Sequence, residues 1–386
     1  ISRVAFDDRF VRPLEKLGHR TPRVLIASIA PGSGGVNSMV EFVLTILREE
    51  GYEPVIAHYQ PYSVSPRLSV PSFSLLSRSV DREVHLTHGD VETHAIGAWL
   101  PELEFTHYLA TAPWREVMDS CDAFVVVSGN NLACTAFFKT NRPYVAWIAS
   151  DWHGDRAERA SRFSLLRRLL DRVVNGPVIQ RLERKLLGGG VVHPLSRHTK
   201  AQLEHILDGC TSSILTAPVD VERFAPRASK TVFGRIGFAG RFDDPRKNIG
   251  LLLDAFVQVS SRFPSAELYL IGAVSTPEIN AQIALRRLQS NVVIVGRLTV
   301  ADYPDALQRL DVFVVPSHQE GLCIAALEAM ACGVPVVSTR CGGPEEFVLN
   351  GQTGALCGFD ATEMADQICE FVSDRPLRDR IGAAAR

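Results

Sequence analysis

Residues 23–50 read RVLIASIAPGSGGVNSMVEFVLTILREE, and the order of their parts decides the architecture. Arg23 to Ala30 is a short aliphatic, β-branched run of the kind that forms a buried strand. Pro31-Gly32-Ser33-Gly34-Gly35 breaks it with turn-forming residues, and Asn37 to Glu50 then spaces its apolar side chains with a helical period. Strand, glycine loop and helix in that order open a doubly wound α/β fold. Outward from this unit the alternation continues, with strands predicted at Pro54 to His58, Ala123 to Ser128, Tyr144 to Ile148, Val191 to His193 and Ser213 to Ala217. The polar, proline-bearing stretch PVDVERFAPRASK, Pro218 to Lys230, reads as a linker. Beyond it the pattern restarts, with strands predicted at Ile236 to Ala239, Glu267 to Ile271, Val292 to Val295, Val312 to Val315 and Val334 to Ser338.

Strands alternating with helices build parallel sheets. The expected fold class is therefore α/β, with two Rossmann-like domains over residues 1–222 and 223–386. Their sheets are expected to face each other across a cleft at the carboxyl ends of the strands, where such folds take ligands. The 386 residues, 46% of them apolar and 22% charged, suffice for two cores. A net charge of −2 and a pI near 6.6 lack the basic balance of a nucleic-acid binder, so no nucleic-acid partner is expected. No apolar run approaches the roughly 18 to 20 residues of a membrane span, and no signal core follows the N-terminus. The chain reads as cytosolic. It opens at Ile1 rather than Met and closes at Arg386 within a helical pattern, so it reads as truncated, above all at its C-terminal end. Eight scattered cysteines with no CxxC pair are expected as buried thiols. His85, His88 and His94 read as loop histidines rather than a metal site.

Three segments carry candidate chemistry. The first is SHQEGLCIAALEAMACG, Ser317 to Gly333. Glu320 closes a loop after the strand VFVVP, and Gly321 allows a tight turn into a helix that carries Glu328. The amides near Leu322 and Cys323 at that helix start form an anion site. Eight residues of helical rise separate the two glutamates by about 12 Å on one face, which suits hydroxyls at two ends of an extended ligand. Taken alone, the spacing is more often that of a dipole-stabilising first-turn acid at Glu320 and a solvated carboxylate at Glu328. The second segment is GFAGRFDDPRKN, Gly237 to Asn248. Gly240 lets the chain turn after the strand, and Arg241 and Lys247 supply a planar fork and a point charge suited to a diphosphate. Alone, it also reads as a basic surface turn paired with Asp243 and Asp244. The third is CGGPEE, Cys341 to Glu346, where two glycines allow close backbone approach and Glu346 can line the same cleft.

Taken together these segments resemble the retaining family 4 glycosyltransferases of the GT-B fold. Glu320 and Glu328 match the family's E-x7-E signature, and Gly240-Arg241 with Lys247-Asn248 is similar to its donor-phosphate element. Also similar are Gly34-Gly35, VDVERFAP at the domain joint, Gly296-Arg297-Leu298, GGPEEF, and NGQTGAL from Asn350 to Leu356. The likeness runs from about Arg23 to the end and is strong only after Ile236. It implies metal-independent transfer of a sugar from a nucleoside diphosphate donor to an acceptor hydroxyl, with retained configuration and no cofactor. Arg241 and Lys247 would then hold the diphosphate, helped by the amides of the Gly321-Leu322-Cys323 turn. Glu328 would bind the ribose, Glu320 the transferred sugar, and the backbone at Arg297 and Leu298 the base, with Gly34 and Gly35 near donor and acceptor.

The first half departs from the family pattern. Ala217-Pro218-Val219-Asp220 replaces the usual Asn-Gly-Val-Asp joint, and His153 in Asp151-Trp152-His153 is the nearest counterpart of a histidine that the family sets beside the sugar. His153 reads as well as a polar residue at a helix start. Residues 154–187 contain nine basic and four acidic residues among spaced apolar ones. Such a stretch either lies on an anionic membrane or packs as a helical pair with a solvated basic face. The first alternative implies peripheral membrane association and a lipid-linked or membrane-proximal glycan acceptor; a small-molecule acceptor is the other class. A nucleotide-sugar epimerase and a catalytically silent binding module share this architecture.

Overall fold

The computed structural model describes residues 20–32, 34–154, 156, 163–226, 233–242 and 244–386. Residues 1–19 of the expected first domain, 227–230 of the expected linker, 155 and 157–162 of the basic stretch, and Asp243 lie outside the described residues. The chain divides into two compact units, the first running to Thr216 and the second starting at Ala217.

In the first unit β1 (Arg23–Ser28), α1 (Gly35–Glu49) and β2 (Glu53–Tyr59) reproduce the expected opening. There follow β3 (Arg82–Thr87), β4 (Val91–Ile96), α2 (Ala112–Asp119), β5 (Ala123–Ser128), β6 (Val145–Ile148), α3 (Leu165–Leu170), α4 (Gly176–Leu187), β7 (Val191–Pro194) and α5 (Arg197–Ile206). The sheet order is β3-β4-β2-β1-β5-β6-β7, parallel except for β3. Leu25, Ala27, Val55, Ala57 and Val126 line one core with Trp114. Burial on both faces is why the central strands read as continuous apolar runs. The chain leaves β1 toward β2 on one side and returns as β5 on the other, so the loops after β1 and β5 diverge at a switch point.

Two expectations fail here. His85 and His94 are on strands β3 and β4, and His88 is in the turn between them with a φ of 49°; they are not scattered loop residues. The signal was the alternation in VHLT and VETHAI around the turn His88-Gly89-Asp90. Among the described residues no group of three or more His, Cys, Asp or Glu side chains is arranged to hold a metal ion. Ser213 to Ala217 is not a strand. It runs beside β7, but two of its carbonyls are taken by side chains, Ser213 O by His193 Nδ1 at 2.8 Å and Leu215 O by Trp147 Nε1 at 2.6 Å.

The second unit contains β8 (Arg235–Ala239), α6 (Ile249–Arg262), β9 (Glu267–Ile271), α7 (Pro277–Leu285), β10 (Val292–Gly296), α8 (Asp302–Gln308) and β11 (Val312–Val315). It continues with α9 (Ile324–Ala331), β12 (Val336–Thr339), β13 (Gly354–Cys357), α10 (Ala361–Ser373) and α11 (Arg375–Ala385). All strands are parallel in the order β10-β9-β8-β11-β12-β13, with the switch between β8 and β11. Phe224, from the expected linker, is buried in this unit's core with Leu307, Leu310 and Phe313. The strand β13 escaped the sequence reading because it is four residues long and opens on a glycine. All eight cysteines are free thiols, six of them buried. No described helix is long and apolar enough to cross a membrane.

One carboxyl in the first unit works against stability. Glu183 on α4 is 2% exposed and accepts the Trp152 N–H at 3.2 Å. Burial pushes its pKa up to about 7, with Asp151 adding to the effect. The folded chain thus binds this proton more tightly than the unfolded one, so stability falls as pH rises from about 4.5 to about 7. Glu183→Gln keeps the acceptor and removes the charge. It is expected to raise the unfolding free energy by up to about 3 kcal/mol above pH 7 and to change little below pH 4.5. A stability difference independent of pH would disprove the buried charge.

Candidate functional site

In the second unit three loops leave the carboxyl ends of adjacent strands: residues 240–248 after β8, 316–323 after β11, and 340–346 after β12. Backbone contacts lock them together. The His318 N–H donates to Arg246 O at 2.7 Å, which joins the first loop to the second. Glu320 pairs with Gly342 in an isolated bridge, its N–H on Cys341 O at 2.8 Å and its carbonyl accepting from Gly343 at 2.9 Å. A Cβ on Gly343 would lie 2.4 Å from the Leu322 Cα, so only glycine allows the second and third loops to approach this closely. On the other side the Gly240 N–H donates to Ile271 O at 2.9 Å and the Gly272 N–H to Gly296 O at 2.7 Å, tying the ends of β8, β9 and β10.

Side chains then converge. Lys247 Nζ donates to Glu320 Oε1 at 2.6 Å, and Ser317 Oγ donates to the same oxygen at 2.6 Å. Burial penalises the Lys247 ammonium, but the Glu320 carboxylate outweighs that penalty and raises the pKa. Glu320 is 9% exposed and Ser317 fully buried, so the carboxylate is held from two sides before any ligand arrives. Ser317 is fixed in turn by Thr339 Oγ1, which donates to its carbonyl at 2.6 Å. In the first loop Asp244 accepts from Arg241 at 3.1 Å and from Arg246 at 2.8 Å. Asp244 is buried, while the Arg241 side chain remains 47% exposed with its guanidinium anchored at one edge. The expectation of a paired basic turn therefore holds for Asp244, and it coexists with convergence of Lys247 on Glu320.

The helix is not where its sequence suggests. The helix α9 begins at Ile324, with Cys323 as a left-handed cap at a φ of 69°. Glu320 thus belongs to the bridged loop and not to the helix, so its distance from Glu328 is not set by helical rise. Glu328 is one turn into α9 and half-buried. The Tyr303 phenol from α8 is hydrogen bonded to it, and burial together with the Glu328 carboxylate pushes that phenol well above its ordinary pKa. The Leu322 and Cys323 amides, just ahead of the helix, have no acceptor among the described residues. Burial raises the Cys323 thiol well above its usual range, so it stays uncharged. Glu345, not Glu346, caps the third loop, accepting from the Gly342 N–H at 3.0 Å, and Glu346 is exposed.

The remaining expected residues are more dispersed. Arg297 is exposed and Leu298 half-buried beyond β10, the edge strand two places from β8. Gly34 and Gly35 follow the carboxyl end of β1, beside the switch between β1 and β5, and Gly35 opens α1. His153 is exposed beyond β6, next to Trp152, whose indole N–H donates to Glu104 Oε1 at 3.1 Å. Ser317, Asp244, Thr339 and Tyr303 were not singled out as site residues by the sequence. Their common signal is a polar side chain at a strand end or on the helix face beside a candidate residue.

Residues 234–374 match the family described as Glycosyl transferases group 1. The phosphatidyl-myo-inositol mannosyltransferase of Mycobacterium tuberculosis is 29% identical over 221 residues, 54% of this chain and 56% of that protein. The chain thus spans little more than half the length of that relative. The enzyme of the same name from Mycolicibacterium smegmatis is 25% identical over 357 residues, 89% of this chain and 83% of that one. Among solved structures, sucrose-phosphate synthase from Thermosynechococcus elongatus superposes with a TM-score of 0.71 at 19% identity, covering 95% of this chain and 93% of that one. The Anabaena HepE complex with UDP and glucose gives 0.68 at 17%, covering 94% and 93%. The fold expectation is borne out: the chain has the GT-B fold, and residues 234–374 of its second unit are similar to the group 1 glycosyl transferases.

Proposed function

We propose that the chain transfers a sugar from a nucleoside diphosphate sugar to an acceptor hydroxyl with retention of configuration, without a metal ion, in glycolipid or polysaccharide synthesis. The observation that carries this reading is the meeting of Lys247 and Glu320 at the carboxyl ends of β8 and β11, with Arg241 anchored on Asp244 in the same loop as Lys247. Two cations and the Leu322 and Cys323 amides suit a diphosphate. In this reading the bond from the anomeric carbon to the phosphate oxygen breaks, and the acceptor oxygen bonds to the same face. The acceptor proton passes to the leaving phosphate. Arg241 and Lys247 offset the charge that develops there, the step at which prearranged electrostatics act most strongly. Glu320 and Glu328 bind sugar and ribose hydroxyls, the backbone at Arg297 and Leu298 meets the base, and His153 lies near the transferred sugar. The relatives' names, mannosyltransferases of phosphatidyl-myo-inositol, favour a mannosyl donor and a lipid acceptor.

Incubation with a panel of nucleotide sugars tests the reaction. Nucleoside diphosphate is expected only when an acceptor is present, and the product's anomeric coupling constant is expected to match the donor's. Isomerised donor, or a donor left inert, would reject transfer. Arg241→Ala is expected to lower turnover about a hundredfold or more with an unchanged unfolding midpoint, since the side chain is half exposed. Wild-type rates in that variant would remove the diphosphate site. Because the Lys247 pKa is raised, its charge is present throughout the range below the ordinary lysine value of 10.5 and is lost only above it. Nucleoside diphosphate affinity, read by thermal shift, is accordingly expected to show no titration that Lys247→Arg displaces below pH 10.5.

A further inference from the structure

Past the carboxyl end of β6 the chain enters a helical turn at Trp152, on the edge of the first unit's sheet where the loops after β1 and β5 also emerge. That edge is where doubly wound sheets take ligands. The first amides of a helical turn have no partner within it, so the orientation of the turn depends on what accepts them. Asp151 Oδ1 accepts from the Gly154 N–H at 3.0 Å, and Glu183 Oε1 accepts from the Trp152 N–H at 3.2 Å. The two acceptors differ in kind. Asp151 is part of the turn and moves with it, whereas Glu183 comes from α4 and ties the turn to the body of the unit.

The rest of the turn is held from its flanks. The Trp152 ring packs with Leu132 and with Ile179 of α4. Its indole N–H donates to Glu104 Oε1 at 3.1 Å, and the Arg156 guanidinium lies 5.3 Å from the centre of the ring. A Cβ on Gly154 would lie 2.5 Å from Asp151 Oδ1 and 2.9 Å from Gln202 Nε2, so α5 closes the turn from the other side. Between these anchors Trp152 is buried and the next residue, His153, is exposed. With its pKa pushed up to about 7 by burial, Glu183 costs the fold stability at neutral pH. Packing alone therefore does not account for a carboxyl at this place.

We propose that Glu183 is a positioning residue: by holding the Trp152 N–H it aims the His153 imidazole at the ligand edge of the sheet, and it acts on sugar transfer through His153. It rests on the proposed sugar transfer for what His153 does there, and on the hydrogen bonds above for where His153 points.

The test is a double-mutant cycle on the full chain. Glu183→Leu removes the acceptor at similar volume, and Glu183→Gln keeps it. Glu183→Leu is expected to lower kcat about tenfold with the donor KM within about twofold of wild type, and Glu183→Gln to keep kcat within about twofold. In a His153→Ala background Glu183→Leu is expected to cause no further loss, because residues that act as one unit are not additive. A wild-type kcat in Glu183→Leu would overturn the proposal. So would the full loss recurring in the His153→Ala background, which marks a structural role independent of His153. Where Glu183→Leu does not fold, Glu183→Asp takes its place, since it withdraws the carboxyl by one methylene, and is expected to lower kcat about threefold. The NMR signal of His153 Cε1 reads orientation without turnover. It is expected to move in Glu183→Leu and to stay in place in Glu183→Gln, and an unmoved signal in Glu183→Leu overturns the proposal. A wild-type chain that releases no nucleoside diphosphate with any acceptor fails the sugar-transfer reading instead, while the His153 signal still decides the positioning.

Discussion

The contact between Lys247 and Glu320 is the point on which the second unit's site depends. Neither charge is tolerable alone at that depth, since a buried ion without its partner costs several kcal/mol. Each therefore fixes the position of the other, and with it the loops after β8 and β11 that flank the switch in strand order. The reach of Lys247 is set by the short turn Pro245–Lys247 and by Asn248, which takes a left-handed φ of 48°. Glu320 is set by Ser317 and by the bridge to Gly342. The polar geometry thus exists before a ligand enters, which is what electrostatic stabilisation of a leaving group requires.

A similar placement of charge shapes the first unit. Arg156 pairs with Glu104 and Asp171, and Glu104 also accepts the Trp152 indole N–H. Glu183 on α4 holds the Trp152 backbone. The segment that carries His153 and the basic helical run are consequently parts of one hydrogen-bonded network. With Asp171 and Glu183 turned into that network, the exposed charged side chains of residues 163–185 are cations.

Much of this was legible in the chain. Aliphatic runs such as AFVVVS and VFVV are largely buried, which is the constraint that produces them, so most strands and the parallel sheets followed from composition and order. The loops that carry Arg241, Lys247, Glu320 and the glycine pair at 342–343 followed from the same alternation, because ligand-binding loops come after strands. The β3–β4 hairpin and Ser213 to Ala217 were misread because an edge strand and a side-chain-satisfied extended segment differ only in where their carbonyls bond. The spacing of Glu320 and Glu328 was read as helical because the left-handed Cys323, which delays the helix, has no marker in its residue type.

Sequence by itself determined the α/β class, most of the strands and the residue types available at their ends. Those properties depend on local periodicity and on which side chains must leave water. Only the tertiary structure decided that Lys247 finds Glu320, that Asp244 anchors Arg241, that Tyr303 meets Glu328, and that Asp171 and Glu183 turn away from solvent. Pairings between residues tens of positions apart depend on loop approach and burial, and no local pattern in a chain encodes a distance across a fold.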